Sequence, residues 1–327
     1  MKQITYLKAI NEAVDEEMQR DPMVFIMGED VRAWGAPLGE FQGLWNKYGD
    51  MRVLDTPIAE RGIMGSAIGA AETGLRPIAH IMFAEFLGVC WSEILNPLCK
   101  LRYMTGGKVT LPVTIMTPSG AGISAAGEHS SCLDGMLMGI VGLKVVVPST
   151  PYDAKGLLKT AIRDDNPVIV IMHKKLLTSG LNGQIPEDEY TVPFGQADVK
   201  REGSDVTVVA TLLMVHRALN AAEQLAKEGI SVEVIDPRTL VPLDEEMILK
   251  SVKKTRRLVI MNEEPFTGGS AADISAMVNE KAFGQLAAPV KRVSAPDTPV
   301  PFSPALEKLW MPDEDDLITA VKEVLKA

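Results

Sequence analysis

The stretch that decides the fold is RVLDTPIAE (residues 52–60), which runs directly into RGIMGSAIGAA (residues 61–71). In the first part a short apolar run meets Pro57, and the residue before a proline favours an extended or turn geometry. The second part is so rich in Gly, Ala and Ser that it predicts an element packed against it at very short range. The pattern therefore indicates an extended segment, a turn and a small-residue helix.

Glu60 lies where that helix would begin, and a carboxylate at this position has two possible roles. One is stabilisation of the helix dipole, since Asp and Glu are favoured in a first turn. The other is proton exchange between a carboxylate in an apolar pocket and a bound cofactor. The local sequence favours the first role because acidic first turns are common, and it leaves the second role open.

Length and composition narrow the class of protein. A chain of 327 residues suits two domains with sizeable cores, and 46% hydrophobic with 23% charged residues is ordinary for a globular protein. The formal net charge of −10 argues against a nucleic-acid or anionic-membrane surface. No stretch approaches the roughly 20 apolar residues that span a bilayer, and the amino terminus lacks the apolar core of a secretory signal.

The three cysteines (Cys90, Cys99 and Cys132) are odd in number and lie in apolar or mixed surroundings. This usage indicates reduced thiols inside a cell rather than a disulfide framework or a metal cluster. We therefore expect a cytoplasmic α/β protein.

The first half of the chain, residues 1–175, alternates short apolar runs with helical periodicity. Nearly all-apolar short strands separated by helices predict a parallel sheet covered on both faces. The predicted strands are Met23–Met27, Ile78–Phe83, Val113–Met116, Val145–Val147 and Val168–Ile171, and the predicted helices are Ile10–Arg20, Phe86–Tyr103 and Ala154–Arg163.

Residues 176–200 lose periodicity and predict an interdomain linker. In residues 201–327 four strands alternate with helices, which predicts a second, compact open sheet. Its predicted strands are Asp205–Thr211, Ser231–Ile235, Arg257–Met261 and Val290–Val293, and its predicted helices are Ala218–Lys227, Glu245–Lys253 and Asp313–Leu325.

Among the four histidines, His129 has the surroundings that suit chemistry. It lies in GAGISAAGEHSSC (residues 120–132), a loop that lets the backbone approach a ligand and that flanks the imidazole with a carboxylate and hydroxyls. Such a ring is a candidate for proton transfer, and a histidine that hydrogen-bonds its own loop is an equal alternative. We expect His80, His173 and His216 to be structural, because neither spacing nor neighbours supplies them with a chemical partner.

Several common site motifs are absent from the chain. It contains no Gly-x-x-x-x-Gly-Lys-Ser/Thr, no Gly-x-Gly-x-x-Gly that opens a helix after a strand, no zinc-like His/Cys spacing and no Gly-x-Ser-x-Gly elbow. The sequence therefore predicts neither a phosphate loop, nor a zinc site, nor a serine hydrolase.

A series of motifs instead occurs in order along the chain: MGEDV (27–31), DTPIAE (55–60), TGLRPI (73–78), RYMTGG (102–107), EHS (128–130), PSTPYDAKGLL (148–158) and APDTPVP (295–301). Together they resemble the beta subunit of the thiamin-diphosphate-dependent first component of 2-oxo acid dehydrogenase complexes. Within that family the chain is most similar to acetoin dehydrogenase beta subunits, through MFAEFLGVC (82–90) and GQIPEDEYT (183–191). The resemblance implies an α/β fold with a transketolase-like pyrimidine domain, followed by a smaller parallel-sheet transketolase C-terminal domain.

The resemblance also implies roles for individual residues. The carboxylate matching Glu60 hydrogen-bonds N1′ of the cofactor's aminopyrimidine, Phe86 matches the aromatic that stacks on this ring, and Ile58 and Met82 match its apolar neighbours. His129 matches the active-site histidine. The positions that bind a structural potassium ion in some members, mainly through backbone carbonyls, are matched by Val113, Ala161, Ile162, Asp164 and Asn166.

One absence bears on partners. The family of thiamin enzymes holds the diphosphate through Mg²⁺ bound by a Gly-Asp-Gly segment, whereas the nearest match here is Leu133-Asp134-Gly135. The resemblance therefore implies an alpha subunit that supplies this half of the site in an α2β2 heterotetramer, and a lipoyl-bearing acyltransferase as a further partner. The expected reaction is cleavage of acetoin, or decarboxylation of a 2-oxo acid, with acyl transfer to lipoyl-lysine.

Two alternatives stay open at this point. The substrate is pyruvate or a branched-chain 2-oxo acid in the first, and the chain is a non-catalytic α/β nucleotide-binding subunit in the second. The sequence also departs from the family at Met172, where a glutamate is common, and at Leu177 or Thr178, where a tyrosine is common. These departures bear on substrate preference or docking rather than on Glu60.

Overall fold

The computed structural model describes residues 1–327, which divide into two compact units. Unit 1 comprises Met1–Ser119 and Leu137–Phe194, and unit 2 comprises Gly120–Met136 and Gly195–Ala327. The loop that carries His129 therefore belongs to the same compact unit as the C-terminal part of the chain, which the sequence did not indicate. The domain boundaries at residues 175 and 200 stay predictions. No helix combines the length and the apolar character needed to cross a membrane.

The secondary structure alternates strands and helices along the chain. The strands are β1 Lys2–Thr5, β2 Val24–Gly28, β3 Val53–Asp55, β4 Arg76–His80, β5 Thr114–Ser119, β6 Lys144–Val146, β7 Val168–His173, β8 Asn182–Ile185, β9 Asp198–Arg201, β10 Val206–Ala210, β11 Val232–Asp236, β12 Thr239–Val241, β13 Leu258–Pro265 and β14 Lys291–Ala295. The α-helices are α1 Tyr6–Arg20, α2 Leu44–Tyr48, α3 Glu60–Glu72, α4 Trp91–Glu93, α5 Cys99–Met104, α6 Asp134–Met138, α7 Pro151–Arg163, α8 Lys174–Thr178, α9 Leu213–Lys227, α10 Glu245–Thr255, α11 Ser270–Ala282, α12 Pro304–Trp310 and α13 Glu314–Lys326. Two 3₁₀ helices (Ala84–Gly88 and Phe283–Gln285) and a π-helical turn (Ile94–Leu98) complete them.

The sheet of unit 1 is parallel, and its strands are hydrogen-bonded in the order β6-β7-β5-β4-β2-β3. β2, β5 and β7 are buried along their whole length, as expected for strands covered on both faces. The chain passes from β2 to β3 in one direction across the sheet and from β4 to β5 in the other. The loops after strands at such a reversal form the crevice in which open α/β sheets bind ligands.

The small-residue helix α3 begins at Glu60 and buries one apolar face that contains Ile63, Met64, Ala67 and Ile68. Its other face is exposed, and a Cβ built on Gly65 or Gly69 would meet no heavy atom within 4 Å. Within this chain no element packs closely against Gly65 or Gly69, whereas the small residues Ala67 and Ala71 lie on the buried face.

The predicted helix Phe86–Tyr103 is interrupted. The chain forms a 3₁₀ helix over Ala84–Gly88, the short α4, the π-helical turn Ile94–Leu98 and then α5. Pro97 lies inside the π-helical turn, and proline lacks the N–H that a regular α-helical hydrogen bond requires. The wider π-helical turn accommodates the proline between α4 and α5.

The segment predicted as a linker contains regular structure. α8 ends at Thr178, and β8 (Asn182–Ile185) pairs antiparallel with β1 at the amino terminus. Ile185 is buried with Ile4 and Ala9 in a small apolar cluster. This pairing links residues about 180 positions apart, so the local sequence around β8 carries little sign of it.

The sheet of unit 2 has five strands in the order β14-β13-β10-β11-β9. β10, β11, β13 and β14 pair in parallel and overlap the four predicted strands. The fifth, β9, is an antiparallel edge strand next to β11 that the sequence did not predict. Its sequence DVKR is half-buried throughout, so it shows neither an apolar run nor the apolar alternation on which strand prediction depends.

Candidate functional site

The reversal of winding in unit 1 brings three loops to the carboxyl edge of one sheet. They follow β2 at Glu29, β3 at Thr56 and β4 at Ile81. Gly28, the last residue of β2, lies so close to β4 that an added Cβ would be 2.8 Å from the carbonyl oxygen of His80. A glycine is therefore required at this position for the loops after β2 and β4 to approach each other.

Two carboxylates, those of Glu29 and Glu60, are buried at this edge and are 5% and 7% exposed. Oε1 of Glu29 is buried without a hydrogen-bond partner in the chain. Burial raises the pKa of the Glu29 carboxyl, the charge of Glu60 raises it further, and His80 opposes the shift. Two carboxylates that share a buried site disfavour double ionisation, so this arrangement can hold a proton and exchange it with a ligand.

The sequence left Glu60 with two roles, and its position in the structure is compatible with both. As the first residue of α3 it is the acidic residue of the first turn, where it interacts favourably with the helix dipole. It is also buried next to a second carboxylate, which helix capping does not require. Glu29 itself was part of the MGEDV motif without an assigned role, and its only local signal is that it directly follows a buried strand.

His80 is fully buried. Its Nε2 lies 3.5 Å from Oε1 of Glu40, which is also fully buried. The ring of Phe41 meets the imidazole edge-on, with centroids 5.3 Å apart. The sequence predicted a structural role for His80, and its enclosed position fits that prediction. Its electrostatic influence on Glu29 depends on the fold and has no local signal in the sequence.

The aromatic loop after β4 carries Met82 and Phe86, both half-buried. The ring of Phe86 packs at a tilt on that of Phe83, with centroids 6.2 Å apart, and the Lys174 ammonium lies 4.8 Å from the centre of the Phe83 ring. The segment that departs from the family pattern near Met172 therefore touches the aromatic loop through Lys174. Ile58, in contrast, is 83% exposed, so this chain alone does not bury the Ile58 side chain that the resemblance places, with Met82, among the apolar neighbours of the cofactor ring.

His129 lies in unit 2, whereas Glu60, Met82 and Phe86 lie in unit 1. It is half-buried, and its backbone N–H donates to the carbonyl of Ala126 at 3.4 Å. The next residue, Ser130, is buried, and its hydroxyl oxygen has no hydrogen-bond partner in the chain. The loop therefore presents an imidazole next to a buried polar group that a ligand or partner can use.

Two other histidines occupy positions in regular structure. His173 ends β7, and its Nδ1 accepts the backbone N–H of Lys175 at 3.0 Å, which caps α8. His216 lies within α9 and is half-buried. These positions fit the structural roles expected for both residues.

Unit 2 contains an acidic cluster that the sequence did not indicate, formed by Asp134, Glu263 and Glu264. Asp134 is 2% exposed, and its Oδ1 has no hydrogen-bond partner. Burial raises its pKa well above the ordinary value, and the charges of Glu264 and Glu263 raise it further. Burial also raises the pKa of Glu264, which accepts hydrogen bonds from Gly135 and Ser270. The carboxylates are 129 or more positions apart from Asp134 in sequence, so only the fold reveals them.

Replacing Asp134 by asparagine is expected to change how stability depends on pH. A carboxyl whose pKa is raised by folding contributes stability below its unfolded pKa and loses it as pH rises through the folded value. The stability of Asp134→Asn should therefore rise relative to the parent as pH increases from about 4, by up to about 1.4 kcal/mol per pH unit. Urea unfolding of both chains at several pH values measures this difference. Parallel plots of the free energy of unfolding against pH for the parent and the variant would contradict it.

The five residues proposed for potassium lie together, and most of their oxygens already accept hydrogen bonds. The Arg76 guanidinium donates to the carbonyls of Ile162 at 2.9 Å and Asp164 at 2.7 Å. The carbonyl of Val113 accepts from Val168, and that of Ala161 accepts from the Asp164 N–H. The Asn166 side chain bonds Asp164 and Arg102. An oxygen set suits a hard cation, and each carbonyl retains a second lone pair.

Comparison with known proteins gives matches over nearly the whole chain. Residues 2–179 match the family "Transketolase, pyrimidine binding domain", and residues 195–317 match "Transketolase, C-terminal domain". The chain is 51% identical to the Acetoin:2,6-dichlorophenolindophenol oxidoreductase subunit beta of Cupriavidus necator, covering 97% of this chain and 96% of that protein. It is 43% identical to the Pyruvate dehydrogenase E1 component subunit beta of Bacillus subtilis, covering 100% of both.

Two further matches complete the comparison. The 2-oxoisovalerate dehydrogenase subunit beta of Bacillus subtilis is 42% identical, covering 99% of both chains. Among solved structures, the chain resembles one described as "Split gene transketolase, inactive beta4 tetramer", with a TM-score of 0.82, 25% identity and coverage of 99% of this chain and 98% of that chain. The predicted fold class, a transketolase-like pyrimidine domain followed by a C-terminal domain, is confirmed.

Proposed function

Because this chain belongs to the transketolase-like family of dehydrogenase beta subunits, we propose that it is the beta subunit of a thiamin-diphosphate-dependent oxidoreductase. It cleaves acetoin together with an alpha subunit in an α2β2 heterotetramer, and the complex transfers the acyl group to lipoyl-lysine of an acyltransferase. The enzyme acts in the cytoplasm. Pyruvate or a branched-chain 2-oxo acid is the alternative substrate, since beta subunits of both classes are 42–43% identical.

The observation that best supports this proposal is the buried carboxylate pair of Glu29 and Glu60 at the carboxyl edge of the sheet of unit 1. Oε1 of Glu29 is a buried acceptor without a partner in the chain, and an unsatisfied buried polar atom is costly unless something bonds it. Glu60 is buried beside it at the start of α3. A ligand that brings to this edge a ring nitrogen able to carry a proton can bond one of these carboxyls, so the residues present fit the aminopyrimidine of thiamin diphosphate.

Each residue of unit 1 then has a defined task. Glu60 would bind N1′ of the aminopyrimidine and exchange a proton there, and Glu29, whose pKa is raised by burial and by the charge of Glu60, lies beside it. Phe86 stacks on the ring, and Met82 borders it. The exposed side chain of Ile58 contributes to the apolar wall when the partner chain covers it. Thiamin diphosphate bound there would supply a nucleophilic thiazolium carbon and an electron sink for cleavage of the bond next to the substrate carbonyl.

The diphosphate half of the site is assigned to the alpha subunit. Asp134 in Leu133-Asp134-Gly135, the nearest match to a magnesium motif, is buried and has a raised pKa next to two further carboxylates. Mg²⁺ usually keeps several of its waters and is bound through one or two carboxylates, whereas Asp134 is 2% exposed and no group of three or more His, Cys, Asp or Glu side chains in the chain is placed to hold a metal ion. Asp134 therefore supports the view that this chain does not bind the diphosphate through magnesium.

Steady-state assays with acetoin, pyruvate and 2-oxoisovalerate test the substrate. The complex reconstituted from this chain and its alpha partner is expected to show kcat/KM at least about tenfold higher for acetoin, the equivalent of about 1.4 kcal/mol in transition-state binding. The relatives named for acetoin are 51% and 48% identical to this chain, more than those named for the other two substrates. Preference for pyruvate or 2-oxoisovalerate would replace the acetoin assignment and leave the enzyme class in place.

The proposal also includes a structural potassium ion. Its ligands would be oxygens of Val113, Ala161, Ile162, Asp164 and Asn166. Binding to the folded state alone stabilises a protein by mass action, so 100 mM KCl should raise the melting temperature above that in 100 mM NaCl. Asp164→Ala, which removes a carboxylate that bonds Lys144 and Asn166, should reduce the difference between the two salts. Equal melting temperatures in KCl and NaCl for the parent chain would contradict a potassium site here.

A further inference from the structure

The loop that carries His129 is held by a carboxylate from a distant helix of the same unit. Glu307 lies on α12 and is 4% exposed. Its Oε1 accepts the backbone N–H of Gly122 at 2.8 Å, and its Oε2 accepts the N–H of Ser124 at 3.0 Å and the hydroxyl of Ser124 at 3.2 Å. One buried carboxylate thus binds three donors of the loop, and hydrogen bonds to a charged acceptor are among the strongest in proteins.

The backbone of this loop needs such support. Ser124 and Ala126 have φ of 56° and 63°, in the left-handed region that residues with a Cβ rarely occupy. Strained conformations of this kind persist only where the surroundings hold them. The N–H of Ser124 points to Glu307, so the carboxylate bonds the loop at one of its two strained non-glycine positions.

Two further carboxylates hold the ends of the loop. Glu263 accepts the N–H of Ala121 at 2.5 Å, and Glu264 accepts the N–H of Gly135 at 2.5 Å. The segment between these anchors contains His129, which bonds back to Ala126. The region around residues 122–124 is therefore fixed by Glu307, while the two ends are fixed independently of it.

We propose that Glu307 is a positioning residue for His129: it fixes the strained part of the loop and thereby sets where the imidazole lies during the reaction. This inference rests on the proposed function, because His129 is the reacting group that it positions. Glu307 acts through the loop backbone, and nothing in its contacts requires it to touch the substrate.

The loop itself can be tested without any activity measurement. Hydrogen exchange of a peptide that covers residues 121–126 is measured in the full α2β2 complex for the parent, for Glu307→Gln and for Glu280→Gln. Glutamine retains one acceptor oxygen and turns an N–H₂ group toward the loop, so exchange at Gly122 and Ser124 should accelerate by about tenfold or more. Glu280 is exposed on α11, and its variant should behave as the parent.

A double-mutant cycle tests whether the effect reaches His129. Glu307→Gln is expected to lower kcat for acyl transfer by about tenfold, with unchanged affinity for thiamin diphosphate. In a His129→Ala background the same substitution should have little further effect, because residues that act as one unit are not additive. Multiplicative losses, or unchanged loop exchange in Glu307→Gln, would overturn the proposal.

Two further measurements distinguish a failure of the positioning role from a failure of the proposed function. Ser124→Ala removes only the hydroxyl bond to Glu307 and provides a milder variant, expected to show a smaller effect in the same direction, if Glu307→Gln does not fold. Binding of thiamin diphosphate to the parent complex is measured in parallel. Its absence would contradict the proposed function, whereas normal binding with an unaffected loop in Glu307→Gln would contradict the positioning role alone.

Discussion

Glu60→Gln is expected to abolish cofactor-dependent turnover while the α2β2 complex stays intact. Glutamine has the shape of glutamate and can still bond N1′ of the cofactor, but it cannot take up and return a proton. Positioned proton transfer contributes about 10²–10⁴-fold to a rate, so kcat should fall by at least about 100-fold. Acetoin-dependent reduction of an artificial electron acceptor measures the loss, and light scattering measures the mass of the complex.

The structure makes this substitution a specific test. Glu60 is the first residue of α3, so the change in charge removes a dipole interaction of about 0.3–1 kcal/mol and should not unfold the helix. Glu72→Gln, at the exposed end of the same helix, is the matched control and should retain full activity. Near-normal turnover in Glu60→Gln would contradict the proposal that Glu60 exchanges a proton with N1′ of the cofactor.

His129→Ala is expected to slow acyl transfer to lipoyl-lysine by about 100-fold or more, with thiamin diphosphate still bound. The carboxylates of Glu263, Glu264 and Glu307 accept hydrogen bonds from backbone N–H groups of the loop that carries the imidazole. Removing the ring should therefore leave the loop in place. Single-turnover measurement of lipoyl acetylation gives the rate of this step. Calorimetry on the same variant gives the affinity for the cofactor.

A matched control comes from the neighbouring residue. Glu128 is exposed in the same loop, and Glu128→Gln should transfer the acyl group at the parent rate. If His129→Ala instead loses the cofactor, the residue supports the binding site rather than the chemistry. The alternative in which His129 only hydrogen-bonds its own loop predicts unchanged transfer.

Much of the fold could be predicted because buried parallel strands are nearly all apolar. β2, β5 and β7 are buried at every position, and their runs of Val, Ile and Met mark them without reference to the rest of the chain. The same physics explains why β9 was missed, since a half-buried edge strand does not need an apolar run. Pro97 indicates that the predicted helix Phe86–Tyr103 is irregular. The π-helical turn itself could not be predicted, because such turns have no dependable local sequence pattern.

The candidate site was predictable where a residue is part of a local motif and not where it depends on distant contacts. Glu60 was found from the turn that precedes it and from the family resemblance. The buried, unpartnered oxygen of Glu29 follows Gly28, where β2 and β4 are too close to admit a Cβ, and both features are properties of the folded sheet. Glu307 bonds a loop 183 to 185 positions earlier in the chain. No local sequence pattern encodes a contact of that separation.

Several exposed positions in unit 1 fit the proposed partner subunit. Ile58 is 83% exposed beside Glu60, and the outer face of α3 at Gly65 and Gly69 meets no atom of this chain. Apolar or small residues left uncovered next to a buried carboxylate pair are those expected of half a site. We therefore expect Glu60 to be inactive until a second chain completes the pocket.

Titration calorimetry tests this central claim most directly. Thiamin diphosphate is titrated in the presence of Mg²⁺ into this chain alone, into the alpha partner alone and into the mixture of both. We predict tight binding in the mixture only, because the proposed function places the aminopyrimidine half and the diphosphate half of the site on different chains. Tight binding of thiamin diphosphate, AMP or a flavin by this chain alone, or no thiamin diphosphate binding by the mixture, would contradict it.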